Sequence, residues 1–426
     1  MATETTLIEI GVLFAAAASA GVLANRLGQS VIPLYILFGM VLNEYVLGTA
    51  PVPEFLTPVV GETFPYLAET DFIYLGAELG IVFLLFFLGL EFNLERLLET
   101  RNRIGKAGSI DLALNFGVGL VLGWFFFGDL LAAFILAGIV YISSSAIITK
   151  SLIDLGWIAN DEADAMLGTL VYEDLFIAIY LAVVSALVLG GGNVGDAIGQ
   201  IGAAMAFIVG LLVLVYFGSE WFQQLLETDS FEFLVLRTLG VLVLVSGAAL
   251  SLGVSEAVAA FFVGMAFSST DHVHDLEQLL APLRDTFAAV FFFWIGLLTD
   301  PSVFGGVAGM IVIAALLTTP AKLVSGYLGG RIYDLDERRS IRVGLGMVTR
   351  GEFSLIIAST VIAVTSSGSG GAIGTGVVDT IYAFSVGYVL LMSILGTTLM
   401  QYSDRVEAAL VPRLERVAGT EKQPGN

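Results

Sequence analysis

The sequence predicts an all-α protein that crosses a membrane many times and contains an inverted repeat. The chain has 426 residues, of which 57% are hydrophobic and 13% are charged, and its mean hydropathy is +0.91. A soluble domain carries about 25% charged residues. Apolar runs of roughly 20 residues, the length of a spanning helix, recur from end to end, and a pattern from the first half of the chain returns in the second half.

Apolar segments long enough to cross the bilayer follow one another along the whole chain. The first has no basic residue before it, which favours a retained helix over a signal peptide. Together the segments predict one membrane transport domain over residues 1–402, with a short cytoplasmic tail over 403–426. We expect about thirteen spans, near residues 6–25, 31–48, 72–91, 106–127, 130–152, 165–189, 195–217, 231–251, 254–270, 283–299, 303–330, 341–365 and 378–402.

The basic residues predict the orientation of these spans. With the N-terminus outside the cell, no outside loop carries a Lys or Arg, and the basic loops all lie in the cytoplasm. This positive-inside pattern predicts a multi-pass plasma-membrane protein with an outside N-terminus and a cytoplasmic C-terminus. We expect the lipid bilayer to be its immediate environment.

The net charge of −21 comes from acidic residues spread over the loops. Such a surface is typical of proteins adapted to high salt, and the alternative is a funnel that collects cations. Nucleic acid is an unfavourable partner at this charge. The absence of cysteine excludes disulfides and thiolate metal sites. No nucleophile–base pair, phosphate loop or metal-ligand cluster is apparent, so we expect neither an enzyme nor a bound cofactor.

A repeated motif predicts the inverted organisation. Phe86–Leu90 in span 3 returns as Phe293–Leu297 in span 10, 207 residues further along. Seven spans separate the copies, so the copies enter the membrane in opposite senses, as in many secondary transporters. We expect the first copy over about 1–189, a linker helix near 195–217 and the second copy over about 231–402. Two further pairs share the offset: Ser144 with Gly351, and Asn115 with Lys322.

Matching spans of the two copies are interrupted by polar residues. Span 5 contains Ser143, Ser144 and Ser145, and span 12 contains Thr349–Glu352. Interruptions at corresponding positions indicate discontinuous helices, whose exposed ends and free carbonyls can hold ions. The alternative for the serines is a small-residue packing face. We expect two broken helices at corresponding positions of the two copies.

An acidic doublet, Glu173 and Asp174, lies near the middle of span 6. Ionisable residues at bilayer depth are costly and mark functional sites. At about 1.5 Å per residue, the doublet, the serines, Lys322 and Arg350 fall in one layer near the midplane. We expect Asp174 to carry the transported cation and the proton, with Glu173 either paired to Lys322 or protonated.

Several simpler interpretations remain open for these residues. The doublet and its partners could form a purely structural ion pair, and Lys322 could extend towards the cytoplasm instead. Arg350 and Glu352 each require a partner on another helix or in the helix break. Asp111 is expected to be hydrated near a membrane edge. Two histidines, His272 and His274, are expected to be solvated loop residues.

Six segments stand out along the chain: Phe86–Glu91 (FFLGLE), Ser143–Leu152 (SSSAIITKSL), Glu173-Asp174 (ED), Ser255–Gly264 (SEAVAAFFVG), Phe292–Leu297 (FFWIGL) and Arg350–Ser354 (RGEFS). Together they resemble the monovalent cation:proton antiporter-2 family, which includes the Kef-type potassium/proton antiporters and related sodium/proton exchangers. The motifs occur in the family order and cover most of the chain.

The resemblance implies a sodium/proton antiporter-like fold with two crossing discontinuous helices, a dimerisation domain, a mobile core domain and an elevator-like cycle. Ser143–Ser145 and Thr349–Glu352 match the two crossing helices. Asp174 falls where the family keeps its essential aspartate, and Glu173 takes a position that is commonly Asp, Asn or Gln. Lys322 matches a basic residue that pairs with the preceding acid. A homodimer is implied. The nucleotide-binding domain of Kef-type members has no counterpart here, so the resemblance also allows a separate soluble regulatory subunit.

These observations predict a secondary active antiporter that exchanges Na⁺ or K⁺ for H⁺ by alternating access. Glu173 and Asp174 are the expected ligands of the transported ion, and the implied role is pH homeostasis. The alternatives are a cation channel of the same fold, a membrane subunit of a proton-pumping complex, and a sodium-coupled organic-anion symporter. The last lacks an obvious organic-substrate pocket in the sequence.

Overall fold

The computed structural model describes residues 2–53, 57, 63–90, 94–189, 206, 209–210, 223–224, 226–228, 230–251, 256–268, 270–366 and 373–421. Every regular element in these residues is helical. The helices of the first half are α1 (Ala2–Leu27), α2 (Val31–Leu42), α3 (Asp71–Leu90), α4 (Leu94–Phe127), α5 (Leu130–Tyr141), α6 (Ser145–Asp154) and α7 (Asp161–Leu189).

The described residues of the second half are also helical, and they end in a helix beyond the last predicted span. A short 3₁₀ turn at Pro301–Val303 precedes the longest of them. The helices are α8 (Phe231–Ser251), α9 (Glu256–Ser268), α10 (Val273–Leu298), α11 (Phe304–Ile332), α12 (Glu337–Gly346), α13 (Glu352–Ser366), α14 (Thr375–Gln401) and α15 (Ser403–Glu421).

The all-helical polytopic fold predicted from the sequence is confirmed. Eight helices in the described residues are long and apolar enough to cross a membrane. Four other predicted spans, numbered 2, 5, 9 and 12, contain short apolar helices of 10–17 residues. The seventh predicted span, near 195–217, lies almost wholly outside the described residues. The total of thirteen therefore stays a prediction.

Local sequence signals set the helix ends. Gly128 has φ +63° and closes α4, because only glycine adopts this left-handed conformation without strain. The next residue, Asp129, caps α5 by accepting a hydrogen bond from the N–H of Ala132 at 2.8 Å. Asp336 caps α12 in the same way, with the N–H of Arg339 at 2.8 Å. Both caps begin half-helices that matter for the site.

The chain divides into two compact units. The first comprises residues 1–94, 178–306 and 359–386. Within it, α2 packs on α10 and α3 packs on α9 through pairs of glycines. A Cβ on Gly39 would overlap the backbone of Phe293, and one on Gly89 would overlap that of Phe261. These close approaches explain the glycines of the repeated motif.

The second unit comprises residues 95–177, 307–358 and 387–426. Here α4 packs on α5, and α11 packs on α12. A Cβ on Gly119 would lie 2.6 Å from the Cα of Ala137, and one on Gly326 would lie 2.6 Å from the Cα of Gly344. Gly326 lies 207 residues after Gly119, and Gly344 lies 207 residues after Ala137, which is the offset of the sequence motif. The same helix contact therefore occurs twice in this unit.

Candidate functional site

Two breaks in helices cross each other inside the second unit. Residues 142–144 separate α5 from α6, and residues 347–351 separate α12 from α13. The N–H of Ser144 donates to the carbonyl oxygen of Thr349 at 3.3 Å, so the two unwound segments are in direct contact. A Cβ on Gly351 would lie 2.7 Å from the Cβ of Ser144. Glycine is therefore required at the crossing point.

Arg350 lies fully buried at the C-terminal ends of two half-helices. Its Nε donates to the carbonyl oxygen of Val140 in the last turn of α5 at 2.9 Å. Its Nη1 lies 2.9–3.0 Å from the carbonyl oxygens of residues 347–349, just after α12. Helix C-termini expose unpaired carbonyls and carry partial negative charge. The guanidinium satisfies these carbonyls and offsets that charge.

Glu352 lies at the opposite ends of the same breaks. It is the first residue of α13 and is 2% exposed. Its carboxylate accepts hydrogen bonds from the hydroxyls of Ser144 at 2.6 Å and Ser145 at 3.1 Å, which stand at the start of α6. Helix N-termini favour negative charge. The acid and the serines thus connect two N-termini, as Arg350 connects two C-termini.

Glu173 is fully buried on α7 and joins the broken helices to α11. One carboxylate oxygen accepts from the N–H of Ser143 at 2.6 Å. The other lies 2.6 Å from the Nζ of Lys322 and 3.0 Å from the hydroxyl of Ser143. Lys322 is itself 0% exposed. Its burial excludes the interpretation in which this lysine extends towards the cytoplasm.

Asp111 on α4 is the second acid bonded to Lys322, and our expectation of a hydrated residue at a membrane edge was wrong. Asp111 is 1% exposed, and its Oδ2 lies 2.7 Å from the Nζ of Lys322. Its Oδ1 accepts from the hydroxyl of Ser325 at 2.6 Å and from the amide of Asn115 at 2.9 Å. Asn115 shares a helix face with Asp111, and Ser325 shares one with Lys322, since residues three or four apart on a helix are neighbours.

Asp174 follows Glu173 on α7 and is 6% exposed. Consecutive helical residues point about 100° apart, so the two carboxylates face different neighbours. Phe176, two residues further along α7, packs edge to face with Phe116 and Tyr141. The Lys322 Nζ lies 5.0 Å from the centre of the Tyr141 ring.

The buried charges of the site do not balance. Among the buried side chains that the structure describes here, four acids are at most 6% exposed and two bases are 0% exposed, so full ionisation would leave two more negative than positive charges in this set. Isolated charge in a low dielectric is strongly unfavourable. The excess can be relieved by bound protons or by small cations. The acids are Asp111, Glu173, Asp174 and Glu352, and the bases are Lys322 and Arg350.

A second ionic cluster lies at the end of the same unit. Arg342 on α12 donates to Glu162 at the start of α7 at 2.9 Å, and to Glu407 on α15 at 2.7 Å. Both carboxylates are at most 3% exposed. Arg338 also bonds Glu407, and the Arg342 guanidinium stacks 4.6 Å from the ring centre of Trp157. The cluster therefore connects α7, which carries the acidic doublet, to α12 and to the tail helix α15.

Both histidines were expected in a loop, but only His272 precedes α10, as its N-cap residue, and His274 lies in the first turn of the helix. His274 is exposed, and its Nε2 lies 2.8 Å from the Nε2 of Gln278. His272 is partly exposed. Both positions precede the buried part of the helix. They take no part in the buried cluster of the second unit.

Comparison with known proteins identifies the family. The sequence profile described as sodium/hydrogen exchanger, transmembrane, matches residues 12–402. The chain belongs to this family. It is 34% identical over 399 residues to the K⁺/H⁺ antiporter subunit KhtU of Bacillus subtilis, covering 93% of each chain. It is 31% identical over 346 residues to the ammonium/H⁺ antiporter subunit AmhT of Alkalihalophilus pseudofirmus, covering 80% of this chain and 84% of the other.

A solved structure shares the fold of this exchanger-family chain. The sodium proton antiporter MjNhaP1 from Methanocaldococcus jannaschii superimposes with a TM-score of 0.69 at 16% identity. The match covers 94% of this chain and 99% of the other chain. The family resemblance inferred from the sequence motifs is thereby confirmed, and the antiporter-like fold with it.

Proposed function

We propose that this chain is a secondary active antiporter that exchanges a monovalent cation for H⁺ by alternating access, with Asp174 as the shared carrier. The observation that carries the proposal is the excess of buried acid over buried base at the crossed helix breaks. A proton or a monovalent cation bound at Asp174 would offset part of this excess, so the two compete for the same carboxylate.

The surroundings of Asp174 suit a small monovalent cation. The hydroxyls of Ser143–Ser145 and the carboxylates are the hard oxygen ligands that such ions prefer. We propose Na⁺ or K⁺ as the transported ion. K⁺ is the first to test, because the relative with 34% identity is named a K⁺/H⁺ antiporter subunit. Four charged residues then hold the broken helices in the geometry that admits the ion. They are Glu173, Lys322, Arg350 and Glu352.

The organisation follows from the same proposal. The unit that contains the site, residues 95–177, 307–358 and 387–426, would be the mobile core domain. The repeat boundaries near 189 and 231, the homodimer and the cytoplasmic C-terminus belong to the proposal as well. Two relatives are named as antiporter subunits, which favours a separate partner protein for this chain too.

The test uses purified protein in proteoliposomes that contain a pH-sensitive dye. Addition of K⁺ or Na⁺ outside should drive H⁺ out of the vesicles, and Asp174→Asn should abolish the signal while the protein remains folded. Asp379→Asn is the matched control, because Asp379 is exposed on α14. Substantial cation-dependent H⁺ flux through Asp174→Asn would reject the carrier role.

The same vesicles separate the alternatives. A channel would conduct at rates far above transporter turnover and without coupled H⁺ movement. A subunit of a proton-pumping complex would show no exchange alone. An organic-anion symporter would move Na⁺ only when an organic anion is present.

A further inference from the structure

We propose that Glu162 and Arg342 are a positioning pair that sets the affinity of the antiporter for its cation. The inference rests on the proposed antiporter function, in which Asp174 carries the ion. Neither member of the pair binds the ion. The pair acts through the two helices that it joins, because α7 carries Asp174 and α12 leads into a helix break.

The first step of the argument is the joint between the two helices. Arg342 Nη1 donates to Glu162 Oε1 at 2.9 Å, and Glu162 is 0% exposed. The Arg342 guanidinium also stacks 4.6 Å from the centre of the Trp157 ring. Solvent screens a buried charge pair weakly, so removal of one partner leaves an uncompensated charge. The first turn of α7 is thus held firmly against α12.

The same two helices are joined a second time at the helix break. The Oγ of Ser143 lies 3.1 Å from the carbonyl oxygen of Met347, the residue that follows α12. The N–H of Ser143 donates to the carboxylate of Glu173 at 2.6 Å. Ser143 therefore connects the end of α12 to the acidic doublet on α7.

Close packing fills the space between the two joints. A Cβ on Gly346 of α12 would lie 2.7 Å from the Sδ of Met166 on α7. Met166, Leu170 and Met347 belong to one cluster of buried apolar residues. Closely packed interiors transmit strain. A shift at the first joint is therefore carried along both helices to the second joint.

The distance along α7 separates positioning from direct binding. Glu162 precedes Asp174 by 12 residues, which is about 18 Å along a helix. The carboxylate of Glu162 is therefore remote from the bound ion. Misplacement of a positioned group by about 1 Å can cost about 100-fold. For a smaller shift, we expect a loss of cation affinity of about tenfold.

Glu407 supplies a matched control within the same cluster. It accepts from the Nε of Arg342 at 2.7 Å and is 3% exposed. It is thus bonded to the same guanidinium and nearly as buried as Glu162. It lies on α15, which carries none of the residues assigned to the ion site. Loss of either acid should destabilise the second unit, but only loss of Glu162 should displace the doublet.

The experiment compares Glu162→Gln with Glu407→Gln in proteoliposomes. H⁺ flux is measured over a range of K⁺ concentrations and then of Na⁺ concentrations, which gives the apparent KM and the maximal rate of each variant. The unfolding temperature in detergent, with and without the cation, reports binding independently of transport.

Glu162→Gln should raise the apparent KM by about tenfold and reduce the shift in unfolding temperature that the cation produces. Glu407→Gln should lower the unfolding temperature of the cation-free protein, yet keep the wild-type KM and the wild-type shift. A role in stability alone would change the unfolding temperature in both variants and the KM in neither.

A second pair of variants covers a failure of Glu162→Gln to fold. Glu162→Asp keeps the charge but is one methylene shorter, so the joint must shift or break. It should also raise the KM, whereas Glu407→Asp should not. Because aspartate keeps the negative charge, this comparison also separates a change of position from a long-range electrostatic effect on the cation.

Two outcomes would overturn the proposal: a folded Glu162 variant with the wild-type KM, or an equal rise in KM for the Glu162 and Glu407 variants. Failure of the proposed function looks different. In that case wild-type vesicles show no K⁺- or Na⁺-dependent H⁺ movement at all, and the positioning role is rejected together with the antiporter.

Discussion

The backbone N–H of Ser144 and the carbonyl oxygen of Thr349 are 3.3 Å apart, and this hydrogen bond joins two helix breaks that lie 205 residues apart in the chain. The bond positions the ends of four half-helices around one point. Arg350 and Glu352 then supply the charges that those ends require. The crossing therefore holds these charged side chains in fixed positions, and substitutions of single residues can test its geometry.

Gly351→Ala should disrupt the crossing. The new methyl group would lie 2.7 Å from the Cβ of Ser144, which is well inside van der Waals contact. Strain of this kind typically costs about 1–3 kcal/mol. We expect a lower unfolding temperature in detergent and a loss of cation-dependent H⁺ flux.

The matched control is Gly105→Ala on α4, where the space around a Cβ is open. Alanine favours helix over glycine by up to about 1 kcal/mol, so this variant should melt at the wild-type temperature or above it. Equal unfolding temperatures and fluxes for Gly351→Ala and the wild-type protein would contradict the close crossing.

Lys322→Ala should destabilise the second unit strongly. The substitution leaves Asp111 and Glu173 buried without their cation, and breaking a buried ion pair from one side costs about 3–5 kcal/mol. We expect a large fall in unfolding temperature at neutral pH, partly reversed in acid, where the two carboxylates take up protons. Differential scanning fluorimetry over a pH series measures both effects.

Lys106→Ala is the control, because Lys106 is exposed on the same helix as Asp111. The double variant Asp111→Asn with Lys322→Ala removes one of the uncompensated acids and should recover part of the loss. An unfolding temperature of Lys322→Ala that matches the control at every pH would show that the lysine is not the counterion of these acids.

The sequence predicted the two helix breaks because the residues of each break are adjacent in the chain, and the family resemblance implied that the breaks cross. Ser143–Ser145 and Thr349–Glu352 interrupt apolar helices, and the fixed offset between copies is visible without coordinates. Asp111 was missed for a physical reason. A single acid near the end of a predicted span has the same pattern whether it is hydrated or paired. Only the packing of α4 against α11 brings it to Lys322.

The ionic cluster at Arg342 was also beyond the reach of sequence patterns. Its members lie on α7, α12 and α15, and each would be an ordinary surface charge if considered alone. Glu162 and Glu407 are exposed by 3% or less, whereas the side chains of Asp161 and Asp404 on the same two helices are 71% and 84% exposed. Tertiary contacts, and not local composition, bury Glu162 and Glu407.

Arg350→Lys should impair transport although it keeps the charge. Lysine presents one ammonium, which cannot contact both Val140 in α5 and the carbonyls after α12, as the Nε and Nη1 atoms of arginine do. Each buried carbonyl left without a donor costs about 1–3 kcal/mol. We expect lower stability and a reduced maximal exchange rate. Arg101→Lys, at an exposed position, is the control, and a variant at 350 indistinguishable from it would refute the capping role.

Glu407→Gln should loosen the tail helix from the second unit. The carboxylate of Glu407 bonds both Arg338 and Arg342 and is 3% exposed, so its charge is poorly screened by solvent. Loss of a buried charged partner costs about 1–3 kcal/mol. The control is Asp404→Asn, at a neighbouring position whose side chain is 84% exposed, and it should change stability by less than about 0.5 kcal/mol.

Thermal unfolding and limited proteolysis of the tail compare the Glu407→Gln and Asp404→Asn variants. Similar proteolysis rates for both variants would mean that α15 is held by contacts other than this ion pair, and greater sensitivity in Asp404→Asn would contradict the assignment of the buried acid as the anchor.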